Sequence, residues 1–266
     1  MSEVKIAPIP DLGQRTDEIT IYAGPCSVES AEQFDEVAEC IADLGLTWIR
    51  GGAFKPRTNP HSFQGLGEEA LKIMKSAGDR YNLKTLTEVM DSAHCELVHS
   101  YVDGLQVGAR NFQNFSLLKK IGQVTATSHK MVLYKRGFAG TIAEWLAATD
   151  YITDHGNTNV VLCERGIRTF ETATRFTLDI AAVPVIHKQS LYPVCIDVSH
   201  PAGQRDLVPS LAKAAVAAGA DSLMIEVHPN PPVALSDGPQ QLTPAQFREL
   251  VAELRELAAV LGKKIV

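Results

Sequence analysis

The chain has 266 residues with 25 basic and 31 acidic side chains, which gives a net charge of −6. This length fits one domain with a full core, and the acidic balance argues against a nucleic-acid or membrane surface as partner. No run reaches the ~18 apolar residues of a membrane span, and the five cysteines form no CxxC pair. With no signal-peptide pattern at the N-terminus, we expect a cytoplasmic protein.

The chain alternates short apolar runs with amphipathic segments from residue 19 to its end. Residues 1–18 are polar and contain proline, which predicts a short N-terminal arm. The predicted strands are 19–24, 46–49, 84–87, 105–107, 131–134, 160–162, 194–198 and 222–225. The predicted helices are 31–44, 67–81, 91–101, 115–121, 141–155, 169–182, 206–218 and 243–261.

Helix starts carry recognisable capping residues. Ser30 is a competent N-cap, Thr141 with Glu144 forms a capping box, and Thr243-Pro244 places proline at the first helical position. Eight strands alternating with eight helices predict an α/β fold, a single (β/α)8 TIM barrel spanning 19–266. An open doubly wound sheet is the alternative, and it is weaker because no GxGxxG follows the first strand.

Each predicted strand ends in a residue suited to holding a metal, a phosphate or a carboxylate. A (β/α)8 enzyme builds its active site from these strand ends. Four of the side chains near them, Cys26, His200, Glu226 and Asp237, form a candidate metal site. One thiolate, one imidazole and two carboxylates suit one divalent ion such as Mn, Fe, Co or Zn. A buried core thiol is the commoner role for a single cysteine, so the prediction depends on all four residues meeting when the barrel closes.

The segment from Arg50 to Thr58 reads RGGAFKPRT and places three cations and a hydroxyl around two glycines and a proline. Arginine binds carboxylate or phosphate oxygens with two parallel hydrogen bonds, and lysine adds a movable charge. A solvated basic loop is the plainer interpretation. Because the segment follows an apolar strand, an anion site is favoured.

Further cations follow the fourth to sixth strands at Arg110, Lys135, Arg136 and Arg165. Their concentration in an acidic protein predicts a multiply charged ligand, with two phosphates and a carboxylate as the plausible groups. Arg136, like Arg168, lies further out, and we expect both to face solvent. Glu88 ends the third strand and is either a proton carrier or, more commonly, a partner of one of these cations. The period of two along a strand places His228 on the same side as Glu226.

Several motifs together resemble 3-deoxy-D-arabino-heptulosonate 7-phosphate (DAHP) synthase, in the class I subgroup related to KDO8P synthase. The motifs are GPCSVE at 24–29, RGGAFKPRT at 50–58, VGARN at 107–111, CERGIRT at 163–169, DVSH at 197–200, IEVHP at 225–229 and SDG at 236–238. The resemblance runs from about Ile19 to the C-terminus. It implies condensation of phosphoenolpyruvate with erythrose 4-phosphate, the first step of the shikimate pathway.

The resemblance also implies a role for each site residue. Cys26, His200, Glu226 and Asp237 would ligate the metal, and Arg110, Lys135 and Arg165 with the Ala109 backbone would hold the phosphate of phosphoenolpyruvate. Arg50, Lys55 and Lys135 would lie near its carboxylate, while Arg57 and Thr58 would bind the phosphate of erythrose 4-phosphate. Lys55 would donate a proton to the developing alkoxide, and Glu88 is one option for activating water.

The chain departs from the family pattern at Asn59, His61, Met131 and Tyr134, so the sugar-phosphate pocket is expected to differ in detail. The family forms dimers or tetramers, which predicts a homo-oligomer. The regulatory domain that some relatives carry is absent, which leaves room for a separate regulatory partner. Three alternatives stay open: KDO8P synthase acting on arabinose 5-phosphate, a metal-free aldolase that forms a Schiff base through Lys55 or Lys135, and a metabolite-binding barrel without catalysis.

Overall fold

The structure is a computed structural model that describes residues 17–55, 59 and 61–266. The predicted arm falls almost wholly on residues outside this description. The first strand, β1, begins at Glu18, one residue before the predicted barrel start. Arg57 and Thr58 of the basic segment also lie outside the described residues.

Eight parallel strands close into a barrel, which confirms the predicted (β/α)8 fold. Strands β2 to β8 are neighbours in chain order, and β1 pairs with both β8 and β2 to close the ring. A short ninth strand pairs with the beginning of β1 outside the ring. The strands are β1 Glu18–Gly24, β2 Trp48–Arg50, β3 Lys84–Glu88, β4 Gly104–Val107, β5 Met131–Lys135, β6 Val160–Glu164, β7 Val194–Asp197, β8 Ser222–Glu226 and β9 Lys264–Ile265.

Helices cover the outside of the ring. They are α1 Ala31–Asp43, α2 Glu68–Tyr81, α3 Cys95–Tyr101, α4 Phe115–Thr125, α5 Ile142–Thr153, α6 Ala182–Gln189, α7 Ser199–Ala202, α8 Val208–Ala217 and α9 Pro244–Val260. Short 3-10 turns occur at Ser92–His94, Ala109–Asn111, Arg205–Leu207, Pro231–Val233 and Gly238–Gln240. No helix in the described part of the chain is long and apolar enough to cross a membrane.

The helix starts follow the predicted capping chemistry. The Ser30 hydroxyl accepts a hydrogen bond from the Gln33 backbone N–H, and Thr141 and Glu144 form the reciprocal capping box. Each bond satisfies a backbone donor that the first turn of a helix leaves free. Pro244 occupies the first turn of α9 as expected.

The predicted helix 169–182 is wrong. Residues 165–181, here called the β6 loop, carry one isolated antiparallel bridge between Ile167 and Thr177, and α6 begins only at Ala182. Threonine occurs four times between residues 169 and 177. Threonine disfavours helix interiors because its branched side chain is restricted and its hydroxyl binds nearby backbone. The Thr169 and Thr177 hydroxyls, 2.6 Å apart, instead bond each other across the bridge.

Two apolar layers determine where a site can form. One fills the space between the barrel and the surrounding helices. The other fills the barrel interior with side chains from six strands: Tyr22, Leu86, Met131, Leu133, Val161, Cys163, Cys195 and Met224. Because the interior is packed, ligand chemistry is confined to the carboxyl ends of the strands.

Candidate active site

Four potential metal ligands meet at the carboxyl ends of β1, β7 and β8. Cys26 follows β1, His200 lies in α7 just after β7, Glu226 ends β8, and Asp237 lies in the following β8 loop, residues 227–243. Their ligand atoms all lie within 4.8 Å of one another. The register that places Gly24 of β1 beside Glu226 brings the first and last of these segments together.

The distances within this cluster suit one ion. Cys26 Sγ lies 3.6 Å from Asp237 Oδ2, and His200 Nε2 lies 3.6 Å from Glu226 Oε1 and 3.8 Å from Asp237 Oδ2. Ligands about 2.0–2.3 Å from a tetrahedral ion are separated by roughly 3.3–3.8 Å. The four donors, one soft and three harder, therefore fit a divalent transition ion without a large rearrangement.

A buried carboxylate lies against the imidazole of the cluster. His200 Nδ1 lies 2.7 Å from Asp197 Oδ2, within ion-pair distance but without hydrogen-bond geometry, and Nε2 faces Glu226 and Asp237. Burial lowers the pKa of His200 because desolvation of the imidazolium outweighs the attraction of the two nearest carboxylates. A neutral imidazole with Nδ1 held by a carboxylate is the usual form of a metal-binding histidine.

Two of the ligand residues, Cys26 and Glu226, lie against cations that the sequence predicted for substrate binding. Lys55 Nζ lies 3.0 Å from Cys26 Sγ, and Arg50 Nη1 lies 3.3 Å from Glu226 Oε1. Burial raises the pKa of the Cys26 thiol to about 12, Glu226 adds to the effect, and Lys55 opposes it. A bound cation would supply the additional positive charge that a thiolate requires at this position.

The remaining carboxylate ligand, Asp237, pairs with an arginine that sequence reasoning missed. Arg175 Nη1 donates to Asp237 Oδ2 at 3.0 Å. Burial acts to raise the pKa of Asp237, but His200 and Arg175 outweigh it and hold that pKa below its ordinary value. Arg175 belongs to the β6 loop, which the sequence pattern assigned to a helix, so no strand end pointed to it.

Beside the cluster lies a cavity of about 270 Å³, here called the mouth cavity. Its lining includes Lys55, Glu88, Arg110, Arg165, Arg175 and His200. The structure thus brings three of the predicted cationic residues, Lys55, Arg110 and Arg165, to one opening. Gly108 leaves room for the side chain of Glu88, because a Cβ at position 108 would lie only 1.9 Å from Glu88 Oε1. Ala109 begins the 3-10 turn that carries Arg110.

Arg165 is the clearest sign of an anion site in the mouth cavity. Its side chain is buried, and its Nη1 has no hydrogen-bond partner among the described residues. The guanidinium carbon lies 4.1 Å from the Phe176 ring centroid and 4.9 Å from that of Phe138. Burial lowers the pKa of Arg165 to about 10. An incompletely partnered, buried arginine favours an incoming carboxylate or phosphate, since that group restores the missing hydrogen bond.

Two predicted substrate-binding cations lie beneath the mouth cavity rather than in its lining. Lys135 Nζ donates to Asp197 Oδ2 at 2.6 Å, and both side chains are almost fully buried. Arg50 Nη1 donates to the Pro25 carbonyl at 2.6 Å as well as contacting Glu226. Both cations are therefore engaged by protein groups.

Two expectations about neighbouring residues are corrected. Arg136 does not face solvent: it is buried and donates to Glu164 Oε2 at 3.0 Å and Asp179 Oδ2 at 2.7 Å. His228 lies apart from the ligand cluster, with Nε2 3.4 Å from Glu29 Oε2. The strand period fails there because β8 ends at Glu226. Arg168 is exposed, as predicted.

Comparison with known proteins identifies related sequences and structures. Residues 12–261 match the model of the DAHP synthetase I family. A phospho-2-dehydro-3-deoxyheptonate aldolase of Thermotoga maritima is 52% identical over 246 residues, covering 92% of this chain and 72% of the relative. A 2-dehydro-3-deoxyphosphooctonate aldolase of Caulobacter vibrioides is 32% identical over 262 residues, covering 90% and 87%. The crystal structure of DAHP synthase from Thermotoga maritima superposes with a TM-score of 0.90 at 51% identity, covering 94% of this chain and 72% of that one.

Proposed function

The chain belongs to the DAHP synthetase I family, and from this membership we propose that it condenses phosphoenolpyruvate with D-erythrose 4-phosphate and water to give DAHP and phosphate. This reaction is the first step of the shikimate pathway, which leads to chorismate and the aromatic amino acids. The observation that carries the proposal is a four-donor cluster beside a cavity that contains a buried, incompletely partnered arginine.

The proposed reaction requires one divalent metal ion, Mn, Fe, Co or Zn, held by Cys26, His200, Glu226 and Asp237. The mixed thiolate, imidazole and carboxylate set and the spacing of its atoms support this assignment. When bound, the ion supplies Lewis acidity toward the aldehyde oxygen of the second substrate.

The cations of the site divide into groups that bind and groups that move a proton. Arg165 and Arg110, with the Ala109 backbone, take the phosphate of phosphoenolpyruvate, since both arginines line the mouth cavity. Arg50 and Lys135 lie near the proposed position of the carboxylate of phosphoenolpyruvate, and they keep that end of the site positively charged. Their existing contacts with Glu226 and Asp197 fix their positions before substrate arrives.

Lys55 is the proposed proton donor. Its ammonium lies 3.0 Å from Cys26 Sγ and lines the mouth cavity, so it borders both the metal cluster and the substrate space. The nucleophilic C3 of phosphoenolpyruvate attacks the aldehyde carbon, and Lys55 protonates the developing alkoxide. Bond formation at C3 leaves C2 cationic, and water adds to C2 to give a hemiketal phosphate. The bond from C2 to the phosphate oxygen then breaks as the C2 hydroxyl becomes a carbonyl and its proton passes to the leaving phosphate. Glu88, also in the cavity lining, accepts the proton of that water through a second water molecule.

Arg57 and Thr58 complete the proposal as the binding groups for the phosphate of erythrose 4-phosphate. This assignment rests on the KPRT motif, because both residues lie outside the described structure. A cytoplasmic homo-oligomer, a dimer or tetramer, with an optional separate regulatory partner is part of the same proposal and rests on the family resemblance.

The competing activity is that of KDO8P synthase, since relatives named 2-dehydro-3-deoxyphosphooctonate aldolase share about a third of the sequence. Phosphoenolpyruvate consumption with erythrose 4-phosphate or arabinose 5-phosphate, in manganese or in EDTA, distinguishes the two. We expect phosphoenolpyruvate to be consumed only when erythrose 4-phosphate and manganese are both present. Consumption only with arabinose 5-phosphate would reassign the substrate, and full activity in EDTA would refute the metal site.

A matched pair of cysteine variants tests the ligand assignment in the same assay. Cys26→Ala removes a proposed ligand, whereas Cys40→Ala removes a buried thiol on α1, outside the metal cluster. We expect Cys26→Ala to lose turnover at all manganese concentrations and Cys40→Ala to retain it. Equal activity of the two variants would contradict the role of Cys26.

A further inference from the structure

A buried glutamine connects the two carboxylates of the ligand cluster. Gln240 is 2% exposed and ends the 3-10 turn Gly238–Gln240 in the β8 loop. Its Nε2 donates to Glu226 Oε2 at 2.7 Å and lies 3.5 Å from Asp237 Oδ2. Its Oε1 accepts from Arg175 Nη1 at 2.8 Å.

These partners specify the orientation of the glutamine amide. A guanidinium donates hydrogen bonds and a carboxylate accepts them, so only Oε1 can face Arg175 and only Nε2 can face Glu226. A reversed Gln240 would place donor against donor and acceptor against acceptor. The side chain therefore acts as a directional link between Arg175 of the β6 loop and Glu226 of β8.

Arg175 completes the link to the second carboxylate. The same Nη1 that donates to Gln240 Oε1 also donates to Asp237 Oδ2 at 3.0 Å. Gln240 thus holds Glu226 Oε2, opposite the Oε1 that faces His200, whereas Arg175 holds Asp237 Oδ2, the same oxygen that faces His200 and Cys26. With both hydrogen bonds in place, the four ligand atoms lie within 4.8 Å of one another, so the hydrogen bonds and the clustering occur together.

We propose that Gln240 is a positioning residue that, together with Arg175, fixes the carboxylates of Glu226 and Asp237 for metal binding. The inference rests on the proposed function, because it concerns the same metal site. It extends that proposal by assigning two residues that bind neither metal nor substrate phosphate. Groups that hydrogen-bond metal ligands typically contribute 10–100-fold to metal affinity.

Competition between the positive charge of Arg175 and the metal ion is the alternative to a positioning role. Arg175 carries a positive charge beside a cation site, so removing it strengthens the attraction of the cluster for a metal ion. Gln240 is neutral and has no such effect. Positioning predicts weaker metal binding in variants of both residues, whereas simple charge competition predicts tighter binding for the arginine variant alone.

Titration of the metal-free protein with Co²⁺ tests this inference directly. Absorption from the bond between cobalt and the Cys26 thiolate reports binding without relying on turnover. We expect Gln240→Met and Arg175→Met each to weaken Co²⁺ binding by about 10–100-fold. The double variant should bind Co²⁺ with about the same affinity as the single variant that binds it more weakly, since the two residues act as one unit. Arg175→Lys keeps the charge but can make fewer directed bonds, so its affinity should be intermediate.

Controls separate positioning from general damage. Gln123→Met on the exposed face of α4 and Arg168→Met at an exposed point of the β6 loop remove the same side-chain types away from the ligands. Both should bind Co²⁺ as the unmodified protein does. Thermal unfolding of each metal-free variant checks the fold, and Arg175→Met keeps the test decisive if Gln240→Met unfolds.

The outcomes distinguish this inference from the proposed function. If the unmodified protein gives no cobalt–thiolate absorption, the proposed metal site itself is refuted. If it binds Co²⁺ and folded Gln240→Met and Arg175→Met bind equally well, only the positioning role is refuted. Tighter binding by Arg175→Met would also overturn the positioning role and show that Arg175 competes with the metal for Asp237.

Discussion

Replacement of Asp197 by asparagine should destabilise the barrel through the lysine that it leaves behind. Asp197 is fully buried, and its Oδ2 lies 2.6 Å from Lys135 Nζ and 2.7 Å from His200 Nδ1. Its Oδ1 accepts backbone N–H bonds from Ser199 and His200. Burial acts to raise the pKa of Asp197, but His200 and Lys135 outweigh it and hold that pKa well below its ordinary value.

The magnitude follows from the burial of both partners. Removing one member of a buried ion pair costs about 3–5 kcal/mol, because the remaining charge is no longer compensated. Asparagine keeps the volume of Asp197 and the acceptor for the two backbone N–H groups, so we expect the lower end, about 3 kcal/mol. In a domain of this size that corresponds to a melting temperature lower by about 6–12 °C.

A double-mutant cycle in thermal unfolding measures this effect. The assays contain a chelator, so that bound metal does not contribute to the apparent stability. We expect Asp197→Asn combined with Lys135→Met to recover at least half of the stability that Asp197→Asn loses, since the second change removes the unpaired ammonium. If the stability loss of the double variant equals the sum of the losses of the two single variants, an uncompensated Lys135 is not the cause of the destabilisation.

Three further changes test separate parts of the molecule. Arg165→Met should raise KM for phosphoenolpyruvate by roughly 10–150-fold in steady-state kinetics, because a hydrogen bond to a charged group contributes about 1.5–3 kcal/mol; an unchanged KM would contradict the phosphate role. Gly108→Ala should lower kcat and leave the fold intact, since the new Cβ displaces the flexible end of Glu88; Gly45→Ala, which meets no neighbouring atom but is strained by a φ of +65°, should lower stability and leave kcat unchanged. Thr141→Ala should lower the free energy of unfolding by about 1 kcal/mol through loss of the capping box and leave both kinetic constants unchanged; a kinetic effect would contradict a purely structural role.

The barrel was predictable because its signals are local and repeated. Each strand is a short apolar run between amphipathic segments, and closure places every strand end at the same rim. This explains why Cys26, His200 and Glu226, which are far apart in the chain, could be grouped before the structure was known. Asp237 could be added because it lies in the loop that follows β8.

The β6 loop was not predictable from periodicity. Its polar residues are placed by contacts with distant segments, such as the bond between Arg175 and Asp237 across 62 positions of the chain. No spacing rule within the loop encodes such a partner. Gln240 was missed for the same reason, because its role depends on hydrogen bonds to Glu226 and Arg175 that only the fold brings within reach.

The charge balance of the rim shows how the structure refines the predicted ligand. The sequence suggested that a concentration of cations in an acidic protein demands a multiply charged anion. In the structure, Arg50, Lys135, Arg136 and Arg175 each lie against a buried or partly buried carboxylate. These four cations are thus already compensated, and they order the protein's own carboxylates.

Arg165 differs from these four. It contacts the rings of Phe138, between β5 and α5, and Phe176 of the β6 loop, and its Nη1 has no hydrogen-bond partner in the described part of the chain. Arg110 is exposed at the same cavity and pairs with no carboxylate among the described residues. Arg110 and Arg165 together match one phosphate group beside the metal cluster, while Lys55, the third lining cation with no carboxylate partner among the described residues, contacts Cys26 instead. The proposal assigns the second phosphate of the reaction to Arg57 and Thr58, and on that basis we expect the KPRT segment to decide between four-carbon and five-carbon sugar phosphates.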